Sequence, residues 1–218
     1  MKVILEPTTA EVVEKKSRFI ANVFYVANVN EVEEKLNKIR KEHYDAKHNC
    51  FAYILGLKGD TVKSSDDGEP QGTAGHPMLD ILKGNDLTNC IAIVTRYFGG
   101  TLLGTGGLVR CYSDSLKQTI EKAKVAEIKS AYMVSFDISY DDYGKIENVI
   151  SNINQSEIFI HSLDKVFEDV VKLKCLVRES VFEKFAREIT NLTKGKVIIS
   201  KEILKNYFNN GSQVLYID

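Results

Sequence analysis

An apolar strand that runs into five glycines and emerges as a helix sets the first limit on this fold. Cys90–Val94 is apolar throughout, and Gly99, Gly100, Gly104, Gly106 and Gly107 follow. Leu108, Tyr112, Leu116, Ile120 and Ala123 then recur at helical spacing. Glycine lets backbone N–H groups turn inward, and the first amides of a helix have no partner inside it. Strand, loop and helix start together therefore supply the parts of an anion site. Arg96 closes the strand, and Arg110 lies on the opening turns of the helix. A cation there opposes the helix dipole, which calls for a compensating anion. That anion is either a carboxylate of the protein, with Asp114 at i,i+4 from Arg110, or a phosphate from outside. A tight strand–helix connection without any ligand is the plain alternative. The glycine order matches neither a P-loop nor a dinucleotide fingerprint.

Upstream, Ser64–Pro77 holds two prolines, three glycines and three acids, and reads as a loop. Asp66, Asp67 and Glu69 border the glycine stretch as acceptors for the arginines, as turn formers or as helix caps. Their spacing is not that of a calcium loop. Pro77 suits the first turn of a short helix and Gly84 its end. His48 and Cys50 point to one face of a strand. The pair reads as a packed cysteine beside a hydrogen-bonded histidine, and His48 and His76, with the three acids, are read as shaping the site. No second Cys or His pair is spaced to complete a metal site, so no metal is expected. The four cysteines form no CxxC and three sit in apolar runs, which reads as buried, reduced thiol. A net charge of -1 excludes general attraction to nucleic acid or membrane, so a nucleic-acid site must be a local patch. MKVILEP is too short for a signal peptide and no stretch reaches transmembrane length. A cytoplasmic protein without a membrane partner is expected.

The rest of the chain divides by pattern. Thr9–Lys16 and Arg18–Val26 read as strands. Asn28 or Asn30 caps a helix whose stripe is Val32, Leu36, Ile39 and Tyr44. Lys47–Leu57 is apolar on both faces and belongs centrally in a sheet. From Ala131 the order changes: strand 131–139, helix 141–153, strands 156–165 and 167–178 joined across Leu163–Val166, helix 179–193 and strand 195–203. Residues 212–218 add an edge strand. This βαββαβ order is that of a ferredoxin-like split βαβ unit. The chain is read as α+β with two domains, residues 1–129 and 130–218.

HNCFAY at His48–Tyr53, SDDGEPQGTAGHP at Ser65–Pro77 and RYFGGTLLGTGGLVRCY at Arg96–Tyr112 carry a resemblance to the YigZ/IMPACT family, covering about Lys16 to Lys124. Lys47 stands where a small residue is frequent in that family, and Cys111 where alanine is frequent. The resemblance implies an N-terminal ribosomal-protein-like domain similar to domain IV of elongation factor G, then a ferredoxin-like domain similar to that factor's last one. It also implies regulation of translation, since eukaryotic members act on the kinase pathway that senses uncharged tRNA. The function expected is a translation-associated regulator without a cofactor. Its partners would be RNA or the ribosome, or a protein of the translation machinery. Arg96, Arg110 and the amides of Gly99, Gly100, Gly104, Gly106 and Gly107 would hold phosphate oxygens, with Tyr97 or Phe98 stacking on a base. One alternative is an enzyme acting on a phosphorylated small molecule or nucleotide at the same loop. Asp66, Asp67 or Glu69 would then be the base, with His48 or His76 assisting. Another is an interaction module with no anion site. The non-catalytic reading is preferred.

Overall fold

The computed structural model describes residues 1–155, 157, 159–210 and 214–217. The fold is mixed α+β. Its first elements are β1 (Lys2–Ile4), β2 (Thr8–Glu14), β3 (Ser17–Tyr25), α1 (Val29–Glu42), β4 (His48–Leu55) and β5 (Thr61–Ser65). They are followed by α2 (Gly75–Gly84), β6 (Cys90–Tyr97), α3 (Gly104–Lys122) and β7 (Val125–Glu127). Five strands form an antiparallel sheet in the order β2-β3-β6-β4-β5, and β1 pairs separately with β7. β3 and β4 run parallel with β6 between them, so the α1 crossover encloses a strand that enters later.

The sheet is covered on both faces, which is why β4 and β6 read as continuous apolar runs. Phe19, Ala21, Cys50, Ala52, Ala92 and Val94 face α2 and α3, together with Met78, Leu108 and Tyr112. Phe24, Phe51, Tyr53, Ile91 and Ile93 face α1 through Val32, Leu36 and Ile39. Asn28 caps α1 by accepting from the Glu31 N–H at 3.1 Å, and the Glu31 carboxylate reaches back to the Ala27 N–H. β5 falls in a stretch where the sequence suggests no strand. Its residues are exposed or half-buried and its apolar content is one valine, so periodicity carries no signal there.

The second unit comprises β8 (Lys129–Ile138), α4 (Tyr140–Ile153), β9 (Ile160–Phe167), β10 (Val171–Arg178), α5 (Glu179–Leu192), β11 (Ser200–Asn209) and β12 (Val214–Ile217). The sheet order is β12-β11-β8-β10-β9. Val134, Phe136, Leu173, Cys175 and Val177 pack against Ile146, Ile150, Phe185 and Ile189 of the two helices. The chain divides into compact units, Met1–Ile128 forming most of the first and Lys129–Tyr207 with Val214–Ile217 the second.

Two sequence expectations shift here. The β9–β10 turn lies at Glu168–Val170 rather than across Leu163–Val166, because the pairing runs on to Phe167↔Val171. The last long strand starts at Ser200 rather than Gly195. Lys194 and Gly195 take positive φ in the turn after α5, and Val197 and Ile199 pack into the helix-side core before the ladder begins. Of the expected edge strand, Val214–Ile217 forms β12, while residues 212, 213 and 218 lie outside the described residues.

Candidate functional site

Each acid of the loop between β5 and α2 has a defined partner. Asp66 accepts from the N–H groups of Gly72, Ala74 and Gly75 at 2.8–2.9 Å, so it neutralises the start of α2. Asp67 sits at φ 43, accepts from the Asn49 N–H at 2.6 Å and pairs with Arg40 at 3.3 Å. Its carbonyl meets His48 Nδ1 at 2.8 Å. Glu69 is buried and accepts from Arg96 Nη1 at 2.7 and 3.0 Å and from the Tyr112 hydroxyl at 2.8 Å. Gly75 is needed for close packing, since a Cβ there would stand 2.6 Å from the Ser65 nitrogen. His76 is exposed on the first turn of α2.

Burial works against the Asp66 carboxylate, yet the three amides, helped by His76, hold its pKa below the ordinary value. A depressed folded-state pKa gives stability that is present above the unfolded pKa, about 3.9, and is lost as pH falls through the lower folded value. Asp66→Asn, which removes the charge at the helix start and one of the two acceptor oxygens, is therefore expected to cost about 1 kcal/mol at neutral pH. The gap to wild type should close as pH drops below about 4. Urea titrations at pH 7, 4 and 3 measure it, and a gap independent of pH would remove the ionised cap.

Arg96 lies in one cross-strand row with Phe19 on β3 and His48 on β4. It is 7% exposed, and its Nε is buried without a hydrogen-bond partner among the described residues. The guanidinium lies 5.4 Å from the Phe19 ring centroid and 5.7 Å from that of Phe98. Cys50 Sγ lies 3.3 Å from the Tyr112 hydroxyl and 3.0 Å from the Asp66 carbonyl, and its single S–H donates to one of them at a time. Burial pushes the Cys50 thiol up to about 12 and raises the Tyr112 phenol strongly. Neither group ionises near neutral pH.

The glycine loop is built against the β2–β3 hairpin. Lys15 and Lys16 both take positive φ, 47 and 66, in the two-residue turn that suits the twist of paired strands. Gly99 lies on that turn. A Cβ at Gly99 would overlap the Lys16 carbonyl carbon and the Ser17 nitrogen, and the Gly99 N–H donates to Ser17 Oγ at 3.0 Å. Gly100 and Gly104 take φ of 87 and 71. α3 then begins at Gly104 with no side-chain cap, and Gly104, Thr105 and Gly106 are exposed. The two helix starts thus differ: α2 is closed by Asp66 and α3 is open.

Arg96 and Arg110 do not share a carboxylate. Arg96 holds Glu69, whereas Arg110, 66% exposed, pairs with Glu14 of β2 at 3.7 Å. The expected Arg110–Asp114 pair gives way to this cross-element one because β2 lies against α3. Tyr97 is engaged too, its hydroxyl donating to Asp45 and meeting His43 Nδ1. Phe98 is 56% exposed. The sequence reading passes over Lys15 and Lys16, which the Gly99 contact brings against the glycine loop. A Lys-Lys pair lacks the Asn-Gly signature of such turns, and the break between two alternating strands is the signal that remains.

Among the described residues no group of three or more His, Cys, Asp or Glu side chains could hold a metal, and no helix is long and apolar enough to cross a membrane. A family model described as the Impact N-terminal domain matches residues 15–120, and one described as a domain of unknown function, DUF1949, matches residues 136–196. The chain is 39% identical over 186 residues to the IMPACT family member YvyE of Bacillus subtilis, covering 85% of this chain and 83% of that one. It is 30% identical over 185 residues to the IMPACT family member YigZ of Escherichia coli, covering 84% and 88%. A crystal structure described as that of a hypothetical protein has a TM-score of 0.57 at 27% identity, covering 93% of this chain and 97% of that one. Sequence blocks, family models and full-length relatives agree, and the chain belongs to the IMPACT family.

Proposed function

We propose that this protein is a translation-associated regulator that binds folded RNA or the ribosome through the open start of α3 and the hairpin beside it. One observation carries the reading. The Gly99 backbone packs on the Lys16–Ser17 turn, which sets two exposed lysines beside a glycine-rich helix start with uncapped amides. Amides of Gly104, Gly106 and Gly107 would meet phosphate oxygens, Lys15, Lys16 and Arg110 would supply charge, and Phe98 would offer a ring to a base. Arg96 keeps Nη1 on Glu69 and its guanidinium near the Phe98 ring, which supports a role in holding the start of the loop. His48, Asp66, Asp67 and Glu69 then shape the loop from its other side. The three acids each serve a structural partner, which supports the non-catalytic reading.

The two halves are proposed to be domains that meet near Lys129. The second has two central antiparallel strands, β8 and β10, flanked by β11 and β9, an order that supports a ferredoxin-like reading. In the first, the split crossover around β6 supports the likeness to domain IV of elongation factor G.

Fluorescence anisotropy with a labelled RNA hairpin at several salt concentrations tests the surface. Replacing Lys15 and Lys16 together by alanine is expected to weaken binding and to lower the magnitude of the log–log salt slope by roughly 2, about 0.9 per lost phosphate contact. Arg110→Ala should lower it by about 1. Wild-type affinity and slope in both variants would take the hairpin and α3 out of RNA binding.

A further inference from the structure

The guanidinium of Arg96 uses only part of its donor set. Nη1 donates to both oxygens of Glu69. Nε is buried and has no hydrogen-bond partner among the described residues, in a side chain only 7% exposed. Nη2 donates to no described residue and is not one of the buried unpartnered atoms, so it meets solvent. Nε and Nη2 form one edge of the guanidinium, the fork that meets two acceptors at once. A buried donor left without an acceptor is costly and calls for an explanation. Two rings flank the group, and only one of them can give way. Phe19 is fully buried in the core, whereas Phe98 is 56% exposed. Rotation of Phe98 therefore opens Nε from the solvent side with the core undisturbed.

Charge decides what the fork takes. Arg96 and Glu69 already neutralise one another, with both side chains buried. A phosphate or carboxylate on the fork would bring a second negative charge close to that carboxylate, away from water, where repulsion is strong. An uncharged pair of acceptors carries no such penalty. Phe98 adds a second condition, that the pair be carried on a flat ring able to stack. Guanine meets both conditions through O6 and N7, the acceptor pair that arginine forks meet most often on nucleic acid. Adenine sets its N6 amine beside N7, and uracil sets an N–H between its two carbonyls, so each turns a donor toward the fork. Cytosine carries adjacent acceptors, O2 and N3, on a smaller ring.

We infer that Arg96 reads one unpaired guanine in the bound RNA, Nε and Nη2 donating to N7 and O6 while Phe98 turns and lies against the base. The inference rests on the RNA reading of the α3 start, and it makes Arg96 the residue that sets base preference there. Phe98 directly precedes Gly99, so the base on its ring belongs to the strand whose phosphates meet the loop. The test is anisotropy of the intact protein with a labelled RNA hairpin whose loop is uridine with one guanosine. Replacing that guanosine by 7-deazaguanosine, which lacks N7, or by adenosine should weaken binding about tenfold at an unchanged salt slope. Cytidine should also bind more weakly. Inosine keeps O6 and N7 and should bind as guanosine does. Arg96→Lys keeps a cation for Glu69 and loses the fork, so it should bind the guanosine and 7-deazaguanosine hairpins equally. The base replacements need no protein variant, so they decide the matter even if Arg96→Lys fails to fold. Equal binding of guanosine, 7-deazaguanosine and adenosine hairpins, or a preference for cytidine, overturns the guanine and leaves the RNA reading standing. Discrimination that survives in Arg96→Lys overturns the role of Arg96. Binding of none of the hairpins overturns the RNA reading and the guanine with it.

Discussion

Replacing Glu69 by alanine is expected to destabilise the first unit by about 3–5 kcal/mol, the usual cost of removing one member of a buried ion pair. Arg96 would be left charged at 7% exposure with its carboxylate gone and its Nε already without a partner among the described residues. The Tyr112 hydroxyl would lose its acceptor as well. The double variant Glu69→Ala with Arg96→Met should recover most of that loss, since an apolar replacement of a buried pair is often neutral or stabilising. Hydrogen exchange at β6 amides in the intact protein reads both effects locally. A Glu69→Ala loss below about 1 kcal/mol would mean that Glu69 does not hold Arg96 against burial. The single variant Arg96→Met separates two roles. As a support for the start of the loop, Arg96 should be needed for stability. Retained stability with lost RNA affinity would instead make it an RNA contact alone.

Gly99→Ala is expected to cost about 1–3 kcal/mol or more and to weaken RNA binding with it. The added methyl meets backbone rather than the far end of a flexible side chain, so relief requires the hairpin or the loop to move. Either movement breaks the Gly99–Ser17 hydrogen bond and carries Lys15 and Lys16 away from α3. Gly106→Ala is the matched comparison. Nothing lies within 4 Å of a Cβ there and its φ is outside the left-handed region, so alanine should stabilise by about 0.4–1 kcal/mol. If the Gly106 amide faces phosphate, the same methyl should lower RNA affinity while stability rises. Thermal melts and anisotropy on the two variants measure both quantities. A Gly99→Ala protein as stable as wild type would show that the loop does not rest on the turn.

Legibility followed chemistry that repeats. Helices α1, α3, α4 and α5 were readable from apolar spacing, as were β3, β4 and β6, because each buries a periodic face. β5 was not, since an exposed edge strand with one valine is held by pairing to β4 and by little packing of its own. The glycine loop was readable as a special backbone, but the reason for each glycine was not. Gly99 answers to a turn more than 80 residues earlier, and no local pattern records such an approach. Glu69 was readable as an acceptor for an arginine, while the choice of Arg96 over Arg110 depended on which cation the sheet register buries. The Lys-Lys turn hid because propensity favours glycine or asparagine there, and tertiary packing overrode it.

The four buried cysteines fall unevenly, with Cys50, Cys90 and Cys111 in the first unit and Cys175 in the core of the second. Alkylating reagents attack thiolate, and burial holds Cys50 and Cys90 near 12 and Cys175 near 11. Labelling in the folded chain therefore waits for the surrounding core to open. Peptide-resolved alkylation over time becomes a two-channel clock, with Cys175 timing excursions of one unit and the other cysteines those of its neighbour. Adding RNA should slow only the channel whose unit it grips, so the chain carries its own reporter of where a partner lands, without a probe being introduced.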